Sequence, residues 1–388
     1  MKFKQLEAVS SYSSDRVEVR KLGLKNYIST ENMLTNKAGV VSASKLPTGK
    51  TTSAYQKGDI LISNIRPYFK KIWFADNEGG CSNDVLVIRA NPGIDSKFLY
   101  YVLADDKFFE YDTANSKGTK MPRGDKTAIM RYEIPDLTLD EQRTIAETLS
   151  TLDDRIAENK KINHHLSVIV QAIFNSWFVD YVPFGGTLPS EWKEVDFDEI
   201  STVQNGYAFK SKDYVSDGVR MIRTTNFDNG YVNNNDLIML PSEFYNDAKY
   251  RNFVLKKFDT VLVMVGASVG KISLITELNT PALQNQNMWR FRSIIPEIPE
   301  SFIHFNVKRI NDQVRGWSSG SARDFYRKDI FKKAKVYLPT SQVLDDFSKI
   351  TMPIFEQISN NILENDKLIK ARDSLLPKLM SGEVSVTD

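Results

Sequence analysis

Residues 139–178 read LDEQRTIAETLSTLDDRIAENKKINHHLSVIVQAIFNSWF and contain neither proline nor glycine. Within this stretch a stripe of mainly apolar residues recurs at alternating spacings of four and three, the heptad pattern of a helix that packs on another helix. The stripe consists of Ile145, Leu149, Leu152, Ile156, Asn159, Asn163, Leu166, Val170, Ile173 and Trp177. It predicts one long amphipathic helix of about 60 Å, at 1.5 Å per residue, with two asparagines near the middle of its seam.

The same stripe returns 202 residues later. Adding 202 to the last eight positions gives Ile354, Ile358, Asn361, Asn365, Leu368, Arg372, Leu375 and Leu379. Only Arg372 departs clearly from the pattern, since it replaces Val170. Pro353 either sets the first turn of this second helix or kinks a longer one.

Two helices with matching stripes are expected to pack on each other, and asparagine in such a seam fixes register at some cost in stability. An antiparallel pair would bring Asn159 opposite Asn365 and Asn163 opposite Asn361, whereas a parallel pair would match like with like. We expect the antiparallel pair, because the large segment between the helices can cross from one end to the other. The alternative is that each helix packs only on its neighbouring domain. The residues expected to form the pair are Leu152, Ile156, Asn159, Asn163, Leu166, Ile173, Trp177, Ile354, Ile358, Asn361, Asn365, Leu368, Leu375 and Leu379.

The repeat extends beyond the helices. Residues 57–61 (KGDIL) match 257–261 (KFDTV), and the pair Lys71-Ile72 matches Lys271-Ile272 at the same offset. Constant order and near-constant offset make chance unlikely as the source of these matches. The chain therefore divides into 1–138, 139–182, 183–338 and 339–388: two mixed α/β domains, each followed by a long helix, in an α+β fold with an internal pseudo-twofold repeat.

Charge follows the same division. The 388 residues carry a net charge of +2, but the four segments carry +5, −3, +3 and −3 in chain order. Two similar basic segments are compatible with a polyanion that contacts both. The single cysteine excludes an intramolecular disulfide, and no signal peptide or membrane-spanning run is evident, so we expect a cytoplasmic protein without membrane contact. Three histidines and one cysteine are too few for a zinc finger.

The motifs that suggest catalysis are incomplete. Residues 266–271 (GASVGK) resemble a phosphate-binding loop but are one residue too short, and Ile272 replaces the Ser or Thr that would hold magnesium. A strand-to-strand turn accounts for them better. The residue types of a nuclease site are present in Asp136, Glu158 and Lys160, but the last two lie inside the heptad helix. We therefore expect no catalytic residue and no metal site in this chain.

Loop residues that suit DNA remain as candidates. Lysine and arginine would mainly hold phosphates, while asparagine, glutamine and selected arginines would read bases. In the first domain the candidates are Arg66, Tyr68, Lys70, Lys71, Lys117, Lys120, Arg123 and Lys126. In the second they are Arg220, Arg223, Asn226, Lys271, Gln284, Asn285, Gln286, Asn287, Arg315, Ser318, Ser319, Arg323 and Arg327. For each of these residues, the competing interpretation is an ordinary solvent-exposed side chain that does not contact DNA.

At this point the chain resembles the specificity subunit of type I restriction–modification systems. The resemblance rests on residues 141–147 (EQRTIAE), on the helix ending at 172–181 (AIFNSWFVDY), and on the second ending at 372–384 (RDSLLPKLMSGEV). The second helix lacks the Glu-Gln-Arg opening and has Asp345-Asp346-Phe347 instead.

The resemblance implies that each basic domain is a target recognition domain that reads half of an asymmetric, bipartite double-stranded DNA site. It also implies that the helices set the gap and dock two modification subunits, which bring S-adenosylmethionine and methylate adenine. Restriction subunits would join to cleave DNA with ATP and magnesium, so this chain itself would bind no cofactor. The competing hypotheses are a self-contained nuclease or methyltransferase and a coiled-coil scaffold without a nucleic-acid role.

Overall fold

The computed structural model describes residues 2–317 and 325–384. The chain forms two compact units, Met1–Arg155 with Leu368–Asp388 and Ile156–Lys367. The sequence predicted four segments divided at 138, 182 and 338. The boundary between the two compact units crosses both long helices, because each half-helix contributes to the hydrophobic core of its own unit.

Within the described residues, the first unit contains two four-stranded sheets and one two-stranded sheet. Its elements are β1 (Phe3–Gln5), β2 (Ser10–Tyr12), β3 (Arg16–Glu18), β4 (Tyr27–Ile28), β5 (Thr51–Tyr55), β6 (Ile60–Ser63), β7 (Ile72–Phe74), β8 (Gly79–Cys81), β9 (Val85–Ala90), α1 (Ser96–Ala104), α2 (Asp106–Ala114), α3 (Lys126–Met130), β10 (Glu133–Pro135) and the first part of α4 (Leu139–Phe178). The strand orders are β2-β9-β6-β7, β3-β5-β8-β4 and β1-β10. Ile60 and Ile62 of β6 share one hydrophobic core with Phe98 of α1, Phe108 of α2 and Leu149 of α4.

The second unit repeats this arrangement with additional short strands. Its elements are the rest of α4, β11 (Lys193–Asp196), β12 (Ser201–Asn205), β13 (Val219–Ile222), β14 (Phe227–Asp228), β15 (Tyr231–Val232), β16 (Ile238–Leu240), β17 (Val254–Leu255), β18 (Thr260–Val263), β19 (Ile272–Leu274), β20 (Ala282–Gln284), β21 (Met288–Ser293), α5 (Glu300–Trp317), α6 (Lys328–Lys332), β22 (Lys335–Leu338) and the first part of α7 (Ser341–Ser381). The strand orders are β12-β21-β18-β19-β15-β14, β16-β13-β20-β17 and β11-β22. Its core joins Phe174 of α4, Phe291 of β21, Phe302 of α5 and Phe347 of α7.

The repeated Lys-x-Asp sequence marks the same turn in both units. In the first unit, the buried Asp59 carboxylate accepts hydrogen bonds from Nε and Nη2 of Arg89, both at 2.8 Å. In the second, the buried Asp259 carboxylate accepts from Nε and Nη2 of Arg292 at 2.6 and 2.5 Å. β6 lies between β7 and β9 just as β18 lies between β19 and β21, all antiparallel. The sequence repeat is therefore a repeat of hydrogen-bonding geometry.

Within the second unit the two long helices run antiparallel, which confirms the expected direction. Asn159 Nδ2 donates to Asn365 Oδ1 at 3.0 Å, and Asn361 Nδ2 donates to Asn163 Oδ1 at 2.8 Å. All four asparagines are buried. Each pair is joined by one side-chain amide hydrogen bond inside an otherwise apolar seam, and such polar contacts hold one register.

Within the first unit, the charged exception in the seam has a partner. Arg372 Nη1 donates to Asp153 Oδ1 at 2.6 Å, and Tyr101 Oη donates to the other oxygen of that carboxylate at 2.8 Å. Leu376 and Leu379 of α7 pack in the same core as Ile145 of α4. An ion pair thus replaces the apolar contact that Val170 makes in the other half of the repeat.

Pro353 does not begin the second helix, because α7 starts at Ser341 and continues through it. The expectation that it sets the first turn is wrong. Proline has no N–H, so the carbonyl four residues earlier loses its helical donor. The apolar contacts of Phe347 and Phe355 on either side of it hold the helix in the core.

The seam residues are buried or half-buried, as a packed face requires. Those that are buried are Ile156, Asn159, Asn163, Ile358, Asn361, Asn365 and Leu379, and those that are half-buried are Leu152, Leu166, Ile173, Trp177, Ile354, Leu368 and Leu375. The stripe misses Phe174, Phe355 and Leu376, which are buried on the sides that face the domain cores. Each helix therefore packs on its partner as well as on a domain, so the alternative that each helix packs only on its neighbouring domain is wrong.

Candidate nucleic-acid interface

Two loops of the first unit meet beyond the end of β6. The N–H of Gly124 donates to the carbonyl of Asn64 at 3.1 Å, and Ile65 pairs with Arg123 as an isolated antiparallel bridge. One loop follows β6 and the other precedes α3. The structure therefore brings together the two groups of cations that are about 50 residues apart in the sequence.

Several of these cations are held by carboxylates. The pairs are Lys70 with Asp106 at 3.0 Å, Lys117 with Asp125 at 2.5 Å, and Arg123 with Asp84 at 3.0 Å. The hydrogen bond from Lys117 is the main reason that the pKa of Asp125 lies below its usual value. Such pairs at a surface add little stability, but they restrict where each cation can point.

The exposure of the candidates in the first unit divides them into two groups. Those exposed are Tyr68, Lys117, Lys120, Arg123 and Lys126, and those half-buried are Arg66, Lys70 and Lys71. Nζ of Lys71 donates to the carbonyl of Thr30 at 2.6 Å, and burial lowers the pKa of this lysine. The exposed group is the better placed to meet a phosphate or a base edge.

Three loops of the second unit meet at the corresponding place. The N–H of Tyr326 donates to the carbonyl of Met264 at 2.8 Å, and the N–H of Met264 donates to the carbonyl of Asn287 at 3.3 Å. Val265 and Phe325 form an isolated antiparallel bridge. The turn between β18 and β19 that resembles a phosphate-binding loop is part of this cluster, and its Lys271 is exposed.

Gln284 cannot read a base from this position. Its side chain is 0% exposed, and its amide donates to the carbonyls of Gln204 at 3.1 Å and Met288 at 2.9 Å. The prediction is wrong for Gln284 because the residue ends the buried strand β20, where its amide joins two loops.

The prediction that Asn226 contacts a base is also wrong. Its Oδ1 accepts from the N–H of Arg223 at 3.0 Å and its Nδ2 donates to the carbonyl of Asn235 at 2.8 Å. The side chain is buried and closes a turn of the kind that asparagine favours.

The other polar candidates of the second unit lie nearer the surface. Asn285 is half-buried with its amide 3.4 Å from Sδ of Met221, whereas Gln286 and Asn287 are exposed. Arg220 and Arg223 are half-buried and donate to the carbonyls of Thr280 and Asp236, at 3.0 and 2.6 Å. Arg315 and Arg327 are exposed, and Arg327 pairs with Asp329 at 2.6 Å. Ser318, Ser319 and Arg323 lie outside the described residues.

Sequence reasoning missed two residues of these loop clusters. Asp84 escaped because a search for DNA contacts passes over acidic side chains. Phe325 is 55% exposed, but a phenylalanine is assigned to a core by default. Its position two residues after Arg323, inside a predicted DNA-facing loop, was the available signal.

Across residues 2–317 and 325–384, no three or more His, Cys, Asp or Glu side chains are grouped so that they could hold a metal ion. Across those ranges, no helix has the length and apolar character required to cross a membrane.

A family comparison accounts for both halves of the chain. The model of the family described as "Type I restriction modification DNA specificity domain" matches residues 7–167 and again residues 189–371. The chain belongs to this family. The resemblance inferred from residues 141–147, 172–181 and 372–384 is thereby confirmed, and each half of the repeat carries one specificity domain.

Individual members of the family are similar over most of their length. The specificity subunit of the type I restriction enzyme HindI from Haemophilus influenzae is 26% identical, over 92% of this chain and 94% of that protein. The MjaIX specificity subunit from Methanocaldococcus jannaschii is 23% identical, over 86% of this chain and 79% of that protein. Among solved structures, the S subunit of a type I restriction–modification system from M. genitalium aligns with a TM-score of 0.60 at 18% identity, over 98% of this chain and 96% of that one. This last similarity confirms the fold.

Proposed function

We propose that this chain is the noncatalytic DNA-reading subunit of a type I restriction–modification enzyme, active in the cytoplasm. Each domain reads one half of an asymmetric, bipartite site in double-stranded DNA, and the paired helices set the gap between the halves. The observation that carries the proposal is that the family model matches twice, once for each domain with exposed basic and polar loops at its tip.

The helices also supply a surface for partners. Val168 and Ile169 of α4 are 53% and 47% exposed on a helix whose other face is packed. These exposed apolar side chains, on a helix that is packed on its other side, are our candidates for contact with a partner. We infer that two modification subunits dock along the helix pair, one for each half of the repeat, and that restriction subunits join this assembly.

The cofactors belong to the partners in this proposal. S-adenosylmethionine is bound by the modification subunits, which methylate adenine, and ATP with magnesium is bound by the restriction subunits. The chain contributes recognition, for which cations on loops supply phosphate contacts and amides and arginine supply base contacts.

Mapping of methylated adenines tests the proposal. The chain is co-expressed with its modification subunit in a host that lacks other methyltransferases, and the genomic DNA is sequenced for modified bases. We expect one asymmetric motif of two short halves separated by a fixed unspecified gap, and its loss when this chain is omitted. Methylation without a two-part motif, or a motif that persists without this chain, would contradict the proposal.

Purified chain without partners separates the alternatives. A self-contained enzyme would turn over DNA when given magnesium or S-adenosylmethionine alone. A scaffold would leave DNA unbound in a gel-shift series, even with the modification subunit present, whereas a DNA reader loses affinity steeply as salt rises.

A further inference from the structure

The repeat assigns equivalent positions at the two loop clusters. The N–H of residue 64 donates to the carbonyl of Asp84 at 2.8 Å, and the N–H of residue 264 donates to the carbonyl of Asn287 at 3.3 Å. The isolated bridges equate Arg123 with Phe325 in the same way. Positions 84 and 287 therefore correspond, as do positions 123 and 325.

The side chains at these equivalent positions differ in chemistry. In the first domain, Nη2 of Arg123 lies 3.0 Å from Oδ1 of Asp84, and the arginine side chain is 54% exposed. In the second domain Phe325 is 55% exposed and Asn287 is exposed. One loop cluster thus presents a guanidinium paired with a carboxylate, and the other presents an exposed aromatic ring and an exposed amide side chain.

Each set of groups matches one kind of base pair. Arginine donates a bidentate pair of hydrogen bonds to O6 and N7 of guanine, and a carboxylate partner fixes the planar guanidinium in advance. Asparagine makes a bidentate pair with adenine, and phenylalanine contacts the methyl group of thymine. An exposed phenylalanine ring is costly in the free protein and is stabilised when DNA covers it.

We propose that positions 84/123 and 287/325 are equivalent base-reading positions, the first selecting a G·C pair and the second an A·T pair. The inference rests on the proposed function and adds the residues that make the two half-sites differ. Arg123, Asn287 and Phe325 contact the bases, and Asp84 is a positioning residue that acts through Arg123.

A randomised DNA library tests the assignment in the complete methyltransferase, formed by this chain and its modification subunit. Binding is selected on sites randomised in both halves, and the bound pool is sequenced. Arg123→Ala is expected to lower selectivity for G·C at one position of one half-site by about ten- to hundredfold, with the other half-site unchanged. Phe325→Ala is expected to lower selectivity for A·T at one position of the other half-site.

Two control variants remove similar exposed side chains away from the loop clusters. Arg20→Ala removes an exposed arginine that also pairs with a carboxylate, that of Glu18 at 2.9 Å. Ile294→Ala removes an exposed apolar residue that directly follows β21, whereas Asn287 directly precedes that strand. Both controls are expected to leave the selected motif unchanged.

The role of Asp84 is tested by base selectivity at one position of the site, which would not change if Asp84 only stabilised the fold. Asp84→Ala is expected to relax the same base position as Arg123→Ala, the double variant to be no less selective than Arg123→Ala alone, and Asp84→Glu to restore part of the selectivity. Uniform weakening by Arg123→Ala across all sequences, with a smaller salt dependence, would make it a phosphate contact and overturn the inference. A wild-type complex without any motif would instead refute the proposed function, so the two failures are distinguishable.

Discussion

Asp112 is a carboxylate that the fold buries without a hydrogen-bond donor. Its side chain is 1% exposed, and within the described residues neither carboxylate oxygen has a partner, nor has Oδ1 of Asn64. Both residues abut Gly124, where an added Cβ would meet Oδ1 of Asp112 and lie 3.0 Å from Oδ1 of Asn64. Burial raises the pKa of Asp112 to about 6, because the charged form loses its hydration.

This raised pKa predicts a pH-dependent stability. Between about pH 4 and pH 6 the unfolded chain releases the proton of Asp112 while the folded chain keeps it, so the free energy of unfolding falls as pH rises and then levels off. Asp112→Asn keeps the shape and removes the titration. We expect it to match the wild type near pH 4 and to be more stable at pH 7.5 by about 1–3 kcal/mol. Urea unfolding of the full chain across this pH range measures the difference.

Asp106 provides a control of the opposite sign. Partial burial raises the pKa of its carboxylate, but the hydrogen bonds from Lys37 and Lys70 outweigh this and hold the pKa below its usual value. Its contribution to stability is therefore present above about pH 4 and is lost as pH falls. Asp106→Asn should destabilise the chain at pH 7.5 and less so under acid, and a pH-independent effect of both variants would contradict this account.

At the scale of elements, the long helices were predictable because their signal is local and periodic. The first helix ends at Phe178, four residues before the predicted boundary at 182, and the spacing of Asn159 and Asn163 was enough to pair them with Asn365 and Asn361. The loops were not predictable in the same way. Gln284 and Asn287 are three residues apart with similar side chains, yet one is buried and the other exposed, because Gln284 is the last residue of the buried strand β20 and Asn287 lies in the turn after it.

The asparagine network gives a test of the helix pair. Asn159 Nδ2 also donates to Glu364 Oε2 at 2.9 Å, and Asn163 Nδ2 to the carbonyl of Ile358 at 3.3 Å. Asn159→Leu alone leaves Asn365 without its partner and should lower the free energy of unfolding by about 1–3 kcal/mol. Replacing all four seam asparagines with leucine should be close to neutral, because both members of each buried amide pair are removed together and the groups that lose a hydrogen bond, Glu364 and Gln357, are half-buried and exposed.

Replacing the four asparagines should loosen the alignment of α4 with α7 and have little effect on the free energy of unfolding. Cysteines placed at exposed positions along α4 and α7 report the alignment by crosslinking. One crosslinked product is expected for the wild type and several for the fourfold variant. A single unchanged product would show that the domain cores, and not the asparagines, fix the register.

The whole molecule consists of one unit repeated, and this explains which features could be read from the sequence. The buried Asp59 and Asp259 each hold an arginine and a turn, so the Lys-x-Asp match survives in both halves. The corresponding loop positions differ, with Arg123 in one half and Phe325 in the other. Buried hydrogen-bonded residues that the fold needs in both units leave a repeat that can be detected, whereas exposed loop residues differ between the units.

The two units are joined in the chain between Arg155 and Ile156 and between Lys367 and Leu368, and these junctions offer a test of the spacer. Seven residues inserted at both junctions add one heptad to each helix, lengthen the pair by about 10 Å, and leave the contacts inside each unit unchanged. If the helices set the gap, the preferred spacing should grow by about three base pairs at 3.4 Å each, or binding should fail because the second half-site rotates to another face of the DNA.

Inserting the heptad at one junction only should mismatch the seam and destabilise the pair, which separates a spacing effect from damage to the fold. Methylome mapping reports the spacing directly, and an unchanged motif at full methylation with both insertions in place would refute the role of the helices as a spacer.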